Sequence, residues 1–153
     1  MIFKIEHPNP HGSLSEEKLR LFEQTLGVAL PLQYREFLKN YNGGQPKPSG
    51  FWITKNQDGS EIHQLYGLHD GPTWYSIDCK DRYGIPEGLL SIGDDGVGNS
   101  ICIGLFGDKR GTIYFIDHEL RSGVAVDSIR GVTKIADSFS QFLSALQVLE
   151  QTM

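Results

Sequence analysis

The sequence predicts an α+β fold, a central and mainly antiparallel sheet flanked by an N-terminal helix pair and a C-terminal helix. Three observations predict it. Apolar residues recur at helical spacing near both ends of the chain, strand-like runs occupy the middle from Ser49 onward, and glycine-rich turns divide those runs into hairpins.

The first helix has two available starts. Ser13 and Glu16 have capping-box spacing; alternatively Ser15 caps and Leu14 staples onto Leu19. Leu19, Phe22 and Leu26 then share one face, and Gly27 stops the helix. For the second helix, the fixed φ of Pro31 suits a first helical position, and Tyr34, Phe37, Leu38 and Tyr41 repeat at i, i+3, i+4 and i+7. Asn42-Gly43-Gly44 ends it with residues that tolerate left-handed backbone.

Phe51-Trp52-Ile53 reads as a strand with Trp52 in the core, and Asn56-Gln57-Asp58-Gly59 as the turn to a second strand around Ile62–Tyr66. Trp74, Ile77 and Asp78 fit a helix within Thr73–Tyr83, closed by Gly84 and Pro86. Ile101, Ile103 and Leu105 alternate with Ser100, Cys102 and Gly104, giving one oily face and one small-residue face. The cluster Gly107–Gly111 turns the chain into Thr112–Ile116, apolar on both faces and therefore interior to the sheet. Gly123–Asp127 suggests a further strand. Ser138 and Gln141 form a capping box ahead of Phe139, Phe142, Leu143, Leu146 and Leu149.

Composition narrows the function. The 153 residues carry 14 Lys and Arg against 19 Asp and Glu, a formal charge of −5. That length suits one domain, residues 1–153, able to bury about 70% of the surface of its unfolded chain without disulfide or metal. The acidic balance argues against direct nucleic-acid binding, where phosphate neutralisation needs a Lys/Arg face, and is compatible with a basic protein partner. No apolar run approaches a membrane span, and the first residues lack the basic and apolar regions of a signal peptide. With Cys79 and Cys102 outside any C-x-x-C pair, the expected setting is the cytoplasm.

The densest motif is Gly93-Asp94-Asp95-Gly96-Val97-Gly98-Asn99. Phosphate is excluded, because a strand follows instead of a helix and the two acids repel anions. Asp94, Asp95 and Asn99 lack the alternating ligands of a calcium loop, so a tight glycine turn with exposed carboxylates is the simpler reading. Asp117-His118-Glu119 cannot converge on one ion if it ends a strand, and His63, His69 and His118 form no metal pair. Gly-x-Ser-x-Gly is absent, leaving Cys79 or a histidine–carboxylate pair as the remaining route to catalysis. No catalytic residue, cofactor or metal is expected. Among the aromatics Trp52, Tyr66, Trp74, Tyr75 and Tyr83, the pair Trp74-Tyr75 follows a Gly-Pro loop and divides between core and interface roles.

The segment Leu26–Leu38, closing on Asn42-Gly43-Gly44, resembles the opening signature of the SUKH superfamily, which includes a fungal cell-wall-synthesis regulator and many bacterial immunity proteins. The resemblance continues through Ile92–Asn99, with Asn99 where the family often has Asp, then Gly111–Glu119 and Ala136–Leu143. It implies an α+β fold and a binding role without catalysis. The bacterial members look like stoichiometric immunity proteins that neutralise the C-terminal domain of a cognate polymorphic toxin, often a nuclease. The expected contacts are Asp94, Asp95, Asp117 and Glu119 for charge, and Trp74 and Tyr75 for area. The rival is a regulatory adaptor in cell-envelope or signalling control. Oligomeric state stays open.

Overall fold

The computed structural model describes residues 4–54, 58–70, 75–80, 82–125 and 127–149. Strand β1 (Lys4–Glu6) leads to helix α1 (Glu16–Leu26), which starts at Ser15: its side chain accepts from Lys18 N–H at 3.1 Å. Gly27 closes the helix at φ 79°, and Leu14 and Leu19 are both buried in the core. Helix α2 (Leu32–Tyr41) begins one residue later than its proline suggests. Pro31 stands at the N-cap with ψ 136°, and Arg35 N–H reaches its carbonyl at 2.9 Å. The exit through Asn42, Gly43 and Gly44 is left-handed throughout, as the sequence indicates.

Two small antiparallel pairs follow, β1 with β2 (Gln45–Lys47), and β3 (Gly50–Thr54) with β4 (Asp58–Glu61). Asn56 and Gln57 of the expected turn lie outside the described residues, and Asp58 and Gly59 already belong to β4. The strand expected around Ile62–Tyr66 is only Gln64–Leu65 (β5), and it joins a different sheet. In β3 the core residue is Phe51, whereas Trp52 is half-buried over Gly59, where a Cβ would meet its ring at 3.3 Å.

The main sheet has the order β5–β6–β7–β8–β9 and is antiparallel throughout, with β6 Leu89–Asp94, β7 Ser100–Gly104, β8 Ile113–Ile116 and β9 Val132–Ala136. β8 is interior, as its two apolar faces require. The small-residue face of β7 is not turned to solvent: Cys102 is as buried as Ile101 and Ile103. Each of those isoleucines contributes roughly 1.5–3 kcal/mol by its burial.

Three further expectations change. Residues 73, 74 and 81 lie outside the described residues, and the described part of Thr73–Tyr83 forms no α-helix. Ser76 bridges Gly67 and Ile77 N–H donates to the Gly67 carbonyl at 2.9 Å, so the backbone is already engaged elsewhere. The described residues between Gly123 and Asp127 form no strand; the additional strand is β9. Helix α4 (Phe139–Ser144) is capped by Ser138 but stops before Leu146, because the chain straightens and Gln147 exchanges two backbone hydrogen bonds with Gly50.

Aromatic contacts join the layers. Phe139 of α4 meets Tyr34 and Phe37 of α2, each at 5.2 Å between ring centres, and Phe51 meets both Phe115 of β8 and Phe142 of α4. The helices α1, α2 and α4 therefore share one core with the sheet, and the β6–β7 and β8–α3 connections emerge together at one end, α3 being His118–Arg121.

Candidate functional site

The β6–β7 connection, Asp94–Asn99, is built on its own side chains. Gly96 and Gly98 take φ 81° and 101°, conformations that glycine adopts without Cβ strain. Asp94 Oδ1 accepts from Gly96 N–H at 2.9 Å; Asp95 Oδ1 accepts from the N–H groups of Val97 and Asn99, each at 3.1 Å. The sequence suggested exposed carboxylates on a tight turn. The turn is present, but both acids are half-buried because they satisfy its backbone donors.

The remaining bonds point the two acids to opposite sides. Asp94 Oδ2 accepts from the Tyr66 hydroxyl at 2.6 Å, and Oδ1 meets His63 Nδ1 at 3.1 Å. Asp95 Oδ2 accepts from Ser60 Oγ at 3.1 Å and Asn99 Nδ2 at 2.8 Å. With Nδ2 of Asn99 facing a carboxylate, its Oδ1 must face His118. There it accepts from His118 N–H at 3.0 Å and meets Nδ1 at 2.7 Å, which therefore carries the proton. Burial first, and then the bond to Asp94, raise the Tyr66 phenol above its ordinary range, so Tyr66 stays a neutral donor.

Asp117 is the N-cap of α3, its Oδ1 accepting from Glu119 N–H at 2.9 Å and Leu120 N–H at 3.3 Å. The segment is thus a helix start and not a strand end, yet the three residues still diverge. His118 and Glu119 face a cleft of about 630 Å³, whereas Asp117 faces a second depression of about 520 Å³ on the far side of the loop.

The larger cleft gathers Tyr66, Tyr75, Tyr83, Arg82, Asp94 and Glu119. Tyr83 is 73% exposed and Tyr75 38%. The Arg82 guanidinium lies 4.1 Å above the Tyr66 ring and donates to the Ser76 carbonyl at 2.8 Å. Behind it, Arg121 is fully buried and donates to the carbonyls of Gly84, Ala125, Ser128 and Arg130, tying the Tyr83 segment to the loop beyond α3.

Of the six residues singled out by sequence, Asp94, Glu119 and Tyr75 share the large cleft, Asp95 and Asp117 line the second depression, and Trp74 lies outside the described residues. Sequence reasoning missed Arg82, weighed Asn99 only as a cation ligand and a motif position, and set His63 and His118 aside as scattered, although the two histidines bracket the loop, the first against Gly96 and the second against Gly98. No local signal links residues so far apart in the chain.

His63 and Asp94 do form a histidine–carboxylate pair, but among the described residues no hydroxyl or thiol is hydrogen-bonded to that histidine, as a triad requires. Cys102 is buried and its thiol pushed up to about 12 by burial, which makes it a poor nucleophile. Among the described residues no cluster of three His, Cys, Asp or Glu could hold a metal, and no helix is long and apolar enough to cross a membrane.

Comparison with known proteins agrees with this architecture. The chain is 28% identical to the SPbeta prophage-derived uncharacterized protein YokK of Bacillus subtilis (strain 168), over 86% of this chain and 74% of that protein. Residues 13–145 match the SMI1 / KNR4 family (SUKH-1) model. That match runs from just before the Ser15 cap to the end of α4, taking in helices α1 to α4, the five-stranded sheet and the braced loop. The chain therefore belongs to the SMI1/KNR4 (SUKH-1) family, a family known for immunity proteins.

Proposed function

We propose that this chain is a cytoplasmic immunity protein, acting as a single domain, that binds a cognate polymorphic toxin stoichiometrically and neutralises a nuclease-type C-terminal domain. The observation that carries the reading is the cleft in which exposed Tyr75 and Tyr83 stand beside the carboxylates of Glu119 and Asp94. Aromatic rings supply contact area at low entropy cost, and an acidic rim speeds encounter with a basic nuclease surface. Asp95 and Asp117 extend the acidic surface across the loop, with Trp74 as a further contact.

The four acids are not equivalent in this role. Asp94, Asp95 and Asp117 each hold backbone N–H groups, whereas the Glu119 side chain makes no hydrogen bond or ion pair among the described residues. Reversing Asp94 and Asp95 would disturb the loop itself, so Glu119→Lys is the cleaner test of charge.

The deciding experiment is survival of a bacterial host expressing the C-terminal toxin domain encoded by the adjacent gene, with and without this protein. Rescue that is specific to that toxin and weakened by Glu119→Lys supports the proposal. Killing in both cultures, or a harmless neighbour, overturns the pairing and favours an adaptor of endogenous partners.

A further inference from the structure

We propose that the cleft between Tyr75, Tyr83 and Glu119 is an arginine socket, receiving one guanidinium from the protein partner. This rests on the binding role proposed above and adds the chemistry of the group that enters. Three observations lead to it.

Among the described residues, Glu119 is the carboxylate of the cleft whose side chain makes no hydrogen bond or ion pair. Asp94 is held by Tyr66, His63 and Gly96, and Arg82 brings a positive charge against the same Tyr66 ring. Glu119, exposed on α3 and lining the same cleft, has neither cation nor donor among the described residues. A carboxylate beside apolar rings is better stabilised by a partner cation than by the partial hydration that a closing interface would leave it.

The ring faces suit a flat cation. The chain already seats one guanidinium in this cleft, Arg82 at 4.1 Å over Tyr66, with one terminal nitrogen donating to the Ser76 carbonyl. Tyr75, whose ring centre is 6.2 Å from that of Tyr66, and the exposed Tyr83 offer further tyrosine surface to a second guanidinium. A planar fork can stack on a ring while donating two parallel hydrogen bonds to Glu119, which an ammonium cannot do.

The cleft is also large enough and firmly walled. About 630 Å³ exceeds what one arginine side chain requires, and Arg121 and the Tyr66–Asp94 bond fix the walls from behind.

The test uses the full-length protein carrying ¹³C-labelled tyrosine rings, titrated with N-acetyl-arginine methylamide and with its uncharged citrulline and cationic lysine counterparts. Ring signals are assigned with Tyr75→Phe and Tyr83→Phe. Saturable shifts of Tyr75 and Tyr83 with the arginine probe are expected, with affinity on the order of tenfold weaker for citrulline and for Glu119→Gln. Equal binding of citrulline or lysine, a Glu119→Gln protein that titrates like the parent, or no saturable shift at the Tyr75 and Tyr83 rings would overturn the socket. Glu119→Gln disturbs no hydrogen bond among the described residues, and an unchanged amide spectrum away from the cleft checks that it folds. No toxin enters this titration, so the socket can fail while survival rescue stands, and rescue can fail while the socket fills.

Discussion

Tyr66 donates its hydroxyl to Asp94 Oδ2 at 2.6 Å, joining the residue after β5 to the last residue of β6 beneath the braced loop. At 2.6 Å this hydroxyl–carboxyl bond is among the short side-chain hydrogen bonds of the chain. Tyr66→Phe keeps the ring beneath Arg82 but leaves Asp94 without its shortest donor. We expect a loss of roughly 1.5–3 kcal/mol in unfolding free energy by urea titration, with the loop's amide protons exchanging faster.

Alkaline pH should expose the same chemistry. Burial raises the Tyr34 and Tyr66 phenols and pushes the Cys102 thiol from 9.0 to about 12. A raised value means that the folded state favours the protonated group. The contribution from Cys102 is therefore fully present below about pH 9 and lost as pH rises towards 12. Urea midpoints should fall across that window, and Cys102→Ala should flatten the first part of the decline.

At acid pH the sensitive place is the junction of α1 and α2. Arg35 donates to Glu16 at 2.6 Å and to both carboxylate oxygens of Glu23, while Glu23 also accepts from Leu30 N–H at 2.7 Å. Hydrogen bonds from Arg35, then from Lys39, lower Glu16 to about 2. Its contribution is present above the ordinary value of 4.5 and disappears as pH falls through about 2. Arg35→Gln should cost stability near neutrality, and its difference from the parent should narrow steadily on acidification, read from urea midpoints.

Arg121 carries a separate stability prediction. Its guanidinium satisfies the four carbonyls of Gly84, Ala125, Ser128 and Arg130. Arg121→Met should cost roughly 3 kcal/mol or more, and Arg121→Lys should recover little, since an ammonium cannot span the same fork of acceptors. Thermal unfolding of both variants distinguishes charge from geometry.

Asn42 and Gly67 interlock at the end of α2. Asn42 at φ 41° accepts from Leu68 N–H at 2.9 Å and donates to the carbonyls of Leu68 and Gly12. A Cβ on Gly67 would stand 2.2 Å from the Asn42 carbonyl oxygen. Gly67→Ala should therefore yield no folded protein, whereas Asn42→Gly should fold with a loss of about 2 kcal/mol, because the backbone is permitted but three hydrogen bonds are gone. Soluble yield and thermal unfolding separate the two outcomes.

What the sequence makes legible here is local. Ser15, Gly27, Asn42 and Ser138 mark helix ends by the bonds or dihedrals they supply, and the β7–β8 hairpin shows in alternation and a turn cluster. β9 was missed because Val132-Thr133-Lys134-Ile135-Ala136 is a sheet edge, half-exposed, with a register shift against β8 that blurs its period. β2 contains Pro46 and is three residues long, too short for any pattern. Four of the six proposed contacts were noticed because acids gather at two loops, but sequence could not show that three of those acids brace backbone. The cleft was hidden for another reason: Tyr66, Tyr75, Tyr83, Asp94 and Glu119 come from separate segments and meet only through the sheet's pairing and Arg121's anchorage.

The loop between β6 and β7 keeps its shape without help from its tip. Asp94, Asp95 and Asn99 fix it from inside, and Val97, 69% exposed, contributes only its backbone N–H to that bracing. Its side chain can thus change without altering the frame that presents it, and a preformed loop loses little freedom on docking. Such an arrangement separates inheritance of the fold from divergence of the partner. Under the proposed binding role, replacements at this single apex, between two concavities that stay in place, would alter a contact surface while each intermediate still folds.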